Sequence, residues 1–573
     1  MDVSASPRAG SLSLLRQRVG AVPVLNRVLA RLGLTEIVAR YLPADDARLK
    51  IAPAVVVGVV VRNLLVGHRP AYAIGDWAAG FDPALFGLGP GQVRQLTDDR
   101  IARVLDRLFD ADRASLLTDL IVRMVTEFDV DTGRCHNDST SITFSGARPD
   151  RGGGQRGGTP VPLLHHGHNK DHRPDLPQLV WILTVAADGA VPLAHRVANG
   201  NTTDDCTHID TWNGLVKLLG RADFLYVADA KLATREQMDH IHRHGGRFIT
   251  TLPRSRTEDR YFRREWLTAN TPTWVEARRR PGPRLGDPDD VWSTFAFPQP
   301  SAEGHRIIWV LSSRRAHTDA ADRTRRIQRA CTALDELNER LSRPRSRTRT
   351  LLAADQAADA VLADAGATAW ITHYPEKINE FTYRQAGSGG GHPTPDTRYR
   401  RIERPYWTIR YQIDADAVAR DALSDGCYPL ITNTRNVTDA QILDNYKYQP
   451  HLERRYHVLK SHQLVAPMFL QRPHRIEALL CCHFIALLVG ALIERQLRQA
   501  MANRQLPHLN IYPEARACTA PSTDRALELF AHLTRDTVHD QDGRPLQTFP
   551  PDLSPEQRQV LGLLGIPADT YTT

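Results

Sequence analysis

From about residue 131 the apolar residues of this chain stop recurring at helical spacing and begin to alternate or run together as they do in strands. That switch, with the order of elements after it, narrows the fold more than any other feature. Residues 134–144 read as a first strand, with Asp138 inside it. The apolar run 179–186, the turn pair Asp188-Gly189 and the run 191–197 make a hairpin. Thr203 or Asp204 is placed to cap a helix that runs to Leu219. Residues 224–229 are a further strand closed by Asp229, residues 234–244 a helix opened by Thr234, and residues 247–252 another strand. Between the first two strands, the glycine-rich stretch 152–158 reads as a loop. Three strands, a helix, a strand, a helix and a strand predict a mixed sheet covered by helices.

A second fixed point lies far downstream, at residues 446–460. Pro450 suits the first turn of a helix, where its missing N–H costs nothing. No residue from there to Lys460 breaks the helix. Glu453 and Lys460 are seven residues apart, so they return to within about 20° of one face, with His457 between them. That face offers a carboxylate, an imidazole and an ammonium, and a strand-like run, 427–433, precedes it. Taken alone, this is either a solvated face with a charge pair or part of a site.

Two strand-borne aspartates followed by a helix-borne glutamate is the order of acidic residues in RNase H-like phosphoryl-transfer domains. At Tyr446, Glu453 and Lys460 the chain resembles the DDE transposases of bacterial insertion sequences, in the insertion-sequence-four-like group marked by Y-(2)-R-(3)-E-(6)-K. The arginine position of that pattern holds Gln449, and Arg454 or Arg455 is available to supply the missing charge. The stretches 170–178, 200–204, 475–480 and 511–516 resemble the long-chain branch of the group as well.

The resemblance implies an RNase H-like catalytic core in which Asp138, Asp229 and Glu453 hold Mg²⁺, with Mn²⁺ as an alternative. Asp138 would bridge two ions, and Asp229 and Glu453 would hold one each. Carboxylates suit this ion because Mg²⁺ is hard and prefers oxygen donors. Tyr446 and Lys460 would grip the phosphate beside the scissile bond as hydroxyl donor and point charge. Gln449, Arg454, Lys170 and Arg173 are further candidates for contact with DNA. The implied activity is cleavage at the ends of an insertion sequence and strand transfer into target DNA. Its partners would be double-stranded DNA, as terminal inverted repeats and target, and a second copy of the chain. A nuclease of the same fold that cuts without strand transfer, and an inactive or domesticated DNA-binding relic, are the rival readings.

Composition agrees without deciding. The net charge of +8 favours a polyanionic partner but does not require one. The excess of arginine over lysine suits phosphate forks and equally suits a GC-rich coding sequence. Seven cysteines without a CxxC pair exclude a disulfide framework or a zinc-finger pattern. The group His165, His166, His168 and His172 lacks both cysteine and helical metal-ligand spacing, and reads as a structural or phosphate-facing loop. No signal peptide opens the chain, and the apolar run 51–61 is too short to span a bilayer. Residues 478–493 carry His483 and Gly490 between charged flanks and read as a buried core helix. The expectation is a cytoplasmic bacterial protein, on the nucleoid when bound to DNA, with no membrane partner.

The length calls for several domains. Residues 1–130 read as an all-α N-terminal domain suited to end recognition. Its best-formed helix is capped by Thr97 and carries an Ile101, Val104, Leu105, Leu108 stripe, with Arg100, Arg103 and Arg107 largely off that stripe. Those arginines read either as a DNA-facing row or as a solvated face. Residues 131–255 and 416–500 make the two parts of the core. Between them, 256–415 is an Arg- and Pro-rich mixed insertion in which Trp274, Tyr399, Tyr406 and Trp407 interleave with arginines, a mix that suits phosphates and unpaired bases as well as a plain scaffold. Residues 501–573 read as a helical C-terminal extension.

Overall fold

The computed structural model describes residues 12–46, 49–89, 91–144, 151–170, 172–203, 206–282, 284, 286–344, 346–387, 392–463, 465, 470–512, 514 and 516–572. The chain divides into two compact units, residues 1–250 with 445–573, and residues 251–444.

The first unit opens with a strand, β1 (Ser13–Arg18), where the sequence predicts only helices. Helices α1 (Val22–Arg31), α2 (Leu34–Tyr41), α3 (Pro53–Arg62), α4 (Ile74–Ala79), α5 (Asp98–Asp110) and α6 (Arg113–Phe128) follow. In α5 the Thr97 hydroxyl accepts from the Arg100 N–H, and Ile101, Val104, Leu105 and Leu108 are buried as their spacing requires. Arg103 and Arg107 face Asp99 at 3.9 Å and Asp45 at 3.0 Å, so both arginines have acidic neighbours within their own unit.

The strand-rich stretch then runs β2 (Arg134–Thr143), β3 (Gln155–Arg156), β4 (Thr159–Pro160), β5 (Gln178–Ala186), β6 (Pro192–Ala198), α7 (His208–Leu219), β7 (Leu225–Val227), α8 (Arg235–Arg243) and β8 (Arg247–Thr251). The order of the main elements is the one read from periodicity. The glycine-rich stretch is not a plain loop, because its glycines at positive φ turn β3 back onto β4. The helix α7 starts at His208 behind Thr207, without a side-chain cap, rather than at Thr203. Asp204 lies outside the described residues.

Five of these strands stand side by side in the order β6-β5-β2-β7-β8. β5 runs antiparallel to both β6 and β2, whereas β7 runs parallel to β2 and to β8. Every residue of β5 is buried, which explains its unbroken apolar run: a strand covered on both faces has no polar side to show. Gly189, in the β5–β6 turn, sits at φ +74°, and a Cβ there would meet the Arg495 Cβ at 2.8 Å. Gly189→Ala is therefore expected to lower unfolding free energy by about 1–3 kcal/mol, read as a shift in urea midpoint at unchanged slope.

The second unit holds α9 (Thr257–Tyr261), α10 (Leu267–Ala269), β9 (Val275–Arg280), β10 (Asp290–Ala296), β11 (Arg306–Ser312), α11 (Ser313–Ser342), α12 (Leu351–Ala365), β12 (Ile371–Gln385), β13 (Tyr399–Ile413), α13 (Ala415–Ala422) and β14 (Cys427–Thr432). Strands β14-β11-β10-β9 form an antiparallel run. β12 and β13 pair over their whole length as a two-stranded ribbon whose base shares a core with α11 and α12 through Leu334, Leu362, Ile371 and Ile409. Trp407 packs at that base, while Tyr399 is half exposed near the far end.

After α14 (Asp439–Tyr446) come α15 (Gln449–His457), α16 (Pro473–Asn503), α17 (Thr523–Glu528), β15 (Thr534–His539), β16 (Pro545–Phe549) and α18 (Pro555–Leu563). Pro450 opens α15 as expected. The helix does not stay α-helical to Lys460: it widens into a π-helical turn at Val458–His462. The C-terminal region is not wholly helical either, because β1 pairs antiparallel with β15, and β15 with β16. The Arg16 guanidinium donates two bonds to Asp536, at 2.9 and 2.8 Å, across that pairing. By length and composition α16 could cross a bilayer, but 89% of its apolar window is buried inside the protein. Cys481 and Cys482 are buried there, and Asp106 of α5 accepts from His474 and Arg475 near the helix's start.

Candidate active site

The three acidic residues of the sequence pattern all lie in the first unit, and their positions follow from the β2–β7 register. The last paired positions of that parallel ladder are His136 and Val227. Asp138 and Asp229 each follow by two residues, so side-chain alternation returns both to the face of His136 and Val227. Both aspartates therefore follow the carboxyl end of this ladder, in strands spaced by about 4.8 Å. Asp229 has left the strand to cap the next turn: its Oδ1 accepts from the Lys231 N–H at 3.0 Å, and its carbonyl accepts from the Thr250 hydroxyl at 2.5 Å.

Helix α15 brings the third carboxylate. Gln449 bonds to β2 twice, with its Oε1 3.1 Å from His136 Nδ1 and its Nε2 donating to the Asn137 carbonyl at 3.1 Å. Two turns on, the Tyr456 hydroxyl donates to the Asp138 carbonyl. Positions 449, 453 and 456 share one helix stripe. Glu453 is therefore carried on the stripe that meets β2, between two residues anchored at 136–138. Its side chain is exposed and, among the described residues, makes no hydrogen bond or ion pair.

Asp138 has a cation beside it. Lys170 Nζ stands 3.4 Å from Asp138 Oδ1 and 3.2 Å from the Ser139 hydroxyl, and it donates to the Ser139 carbonyl. The Ser139 N–H donates to the same carboxylate oxygen at 2.8 Å. Burial pulls the His136 imidazole down to about 4, so it is neutral at physiological pH; with Gln449 Oε1 as acceptor, Nδ1 is the atom that holds its proton.

Asp138, Asp229 and Glu453 supply the oxygen-only donor set that Mg²⁺ prefers, and Asp138 already holds one positive group. The donors fit the ion in kind. Among the described residues, however, no three His, Cys, Asp or Glu side chains are drawn together as a ligand set. Of the histidines in 165–172, His165 stands against the main-chain carbonyl of His166 and His166 against that of Asp175.

The other candidates separate clearly. Tyr446 ends α14 half-buried, and Lys460 is half-buried in the π turn. Gln449 faces inward and joins helix to strand. Arg173 is forked onto Asp175 at 2.9 and 2.8 Å. Arg455 does not replace the arginine that the family pattern places at 449. It is buried, with Nη1 2.8 Å from Glu494 Oε2 and two further bonds to the carbonyls of Ala190 and Gly189. Arg454, by contrast, is exposed. Sequence reasoning missed Tyr456, whose spacing three residues from Glu453 was the available sign, and the Lys170–Asp138 pair, which left no local sign.

A family profile described as a domain of unknown function (DUF4277) matches residues 15–122. No curated protein sequence matches the chain. Among solved structures, it is similar to the cryo-EM structure of a piggyBac transposase synaptic complex with hairpin DNA. The identity is 11% and the TM-score 0.24, over 52% of this chain and 63% of that one. The chain thus spans less than two thirds of that protein.

Proposed function

We propose that this protein is a DDE-type DNA transposase that cleaves the ends of its element and joins them to target DNA. The observation that supports the reading is the register of β2 against β7, in which Asp138 and Asp229 each follow the last pair by two residues, together with the bonds that join α15, the helix of Glu453, to β2. The strand order β6-β5-β2-β7-β8, with its two parallel joins, supports an RNase H-like core. Asp138, Asp229 and Glu453 would hold Mg²⁺, which supplies activation of the entering oxygen and charge stabilisation at the leaving one. Lys170 brings a positive charge to within 3.4 Å of Asp138. Lys460 and Tyr446 bind and orient the phosphodiester as charge and hydroxyl donor. The reading brings with it a homodimer that pairs two DNA ends, in a bacterial cytoplasm.

The test uses purified protein, Mg²⁺ and a supercoiled plasmid carrying the inverted repeats that flank the gene. Wild type is expected to nick or break the plasmid at the repeats, and Glu453→Gln to lose that activity by a factor of about 10³. End binding without cleavage by wild type would favour the relic. Cleavage without joined products would favour the nuclease. Equal cleavage by both proteins would remove Glu453 from the site.

A further inference from the structure

A cavity of about 710 Å³ opens on another flank of α15. Arg454, His457 and Val458 line it, leaving the helix roughly 140° from the Gln449–Tyr456 stripe at 100° per residue. The opposite wall comes from both ends of the chain, with Arg18 and Phe81 on one side and Asp524 and Leu527 on the other.

The charge inside is unbalanced once internal pairs are removed. Glu494 is taken by Arg455 at 2.8 Å and Glu528 by Arg525 at 2.5 Å, while Asp524 stands 3.3 Å from the His462 imidazole. Two of the three acids of the wall thus have an arginine partner, against two further arginines. Among the described residues neither Arg18 nor Arg454 has a carboxylate within ion-pair distance, although the charge of Arg454 reaches Glu494; Arg18 lies over the Phe81 ring at 4.9 Å. His68, held at φ +51°, and His457 add donors beside them, and the His68 Nδ1 is buried without a hydrogen bond. The remaining wall is apolar, through Leu65, Phe81 and Leu527. Two free guanidiniums with an apolar wall, in a volume several times that of a phosphate ion, match an anion that carries a planar apolar body.

We propose that this cavity binds a phosphate-bearing nucleotide, gripped by Arg18 and Arg454 at the phosphate and by the apolar wall at the base. Arg454 directly follows Glu453, so a DNA strand at the cutting site can deliver one of its nucleotides here. That source rests on the transposase reading, whereas the pocket itself rests only on its lining. A free mononucleotide carries the same chemistry.

The test is calorimetric titration of the full-length protein with deoxyadenosine 5′-monophosphate, with inorganic phosphate and with a short single-stranded oligonucleotide. Wild type, Arg18→Ala/Arg454→Ala and Leu527→Gln are compared, with melting temperatures as the folding control. Losing two charge-assisted contacts should weaken mononucleotide or oligonucleotide binding about 10-fold or more in the double variant. Mononucleotide binding assigns the site to free nucleotides, and binding of the oligonucleotide alone assigns it to the strand. Inorganic phosphate binding as tightly as the nucleotide, unchanged in Leu527→Gln, would overturn the nucleotide assignment. Equal affinity in wild type and a folded double variant would overturn the site. If the plasmid is never cut but binding depends on Arg18 and Arg454, the transposase reading fails and the pocket stands.

Discussion

On the proposed transposase function, Asp138→Asn is expected to leave a folded protein whose Mg²⁺-dependent end cleavage falls by about 10³-fold or more, equivalent to at least three steps of about 1.36 kcal/mol in the barrier. The amide keeps the size of the carboxylate and can still accept from the Ser139 N–H, so the strand has no reason to move. What is lost is the charge at the one position that neighbours Asp229 in register and lies beneath the helix carrying Glu453. Lys170 keeps its bonds to the Ser139 carbonyl and hydroxyl, which limits the change in stability. The pair with Asp138 is partly exposed, its side chains 36% and 20% accessible, so losing it should cost less than about 1 kcal/mol. Cleavage assays and thermal melts on the same preparation check both halves. A variant that cuts normally would remove Asp138 from the chemistry, and one that fails to fold would make it a structural residue.

Arg455→Ala is expected to lower stability by about 3–5 kcal/mol, because it strands a buried carboxylate as well as two carbonyls. Arg455 and Glu494 are 4% and 3% exposed. Burial alone would push the Glu494 carboxyl up, and the charge and hydrogen bond of Arg455, with the charges of Arg498 and Arg454, together outweigh it and hold the carboxyl below its ordinary value. A carboxyl lowered by folding adds stability above its unfolded pKa and loses it as pH falls through the folded one. Wild type should therefore weaken on acidification below the ordinary glutamate range. In Arg455→Ala only the weaker influence of Arg498, 3.7 Å away, and Arg454 offsets burial, so the folded pKa rises and acidification should narrow the gap to wild type. Chemical denaturation at neutral and mildly acidic pH reads both signs. Replacing the two partners together by Met and Leu should recover most of the stability, since the penalty belongs to the unpaired charge. Similar pH profiles in wild type and Arg455→Ala would mean that Glu494 finds another partner.

Local chemistry made much of this protein readable in advance. Thr97 announced α5, Asp188-Gly189 announced the β5–β6 turn, and the apolar run 179–186 announced the first strand of that hairpin. Features that depend on distant partners were not readable. Residues 13–18 become a strand only because residues 534–539 lie alongside, and neither segment has an alternation strong enough to announce itself. The glycine-rich stretch read as a loop because glycine carries no apolar pattern, although positive φ values are what let β3 turn back on β4.

The candidate site divides in the same way. The residues that could do chemistry, Asp138, Asp229 and Glu453, and their order along the chain were set by sequence alone, since residue type and helical or strand period are local properties. Which groups stand next to them was decided only by tertiary structure. Gln449 turns inward to β2, Arg455 goes to Glu494 and Arg454 to an open cavity, although these residues lie within two turns of one helix. A helix fixes the angle between neighbours at about 100° but not which angle meets the sheet, and packing against β2 and α16 made that choice.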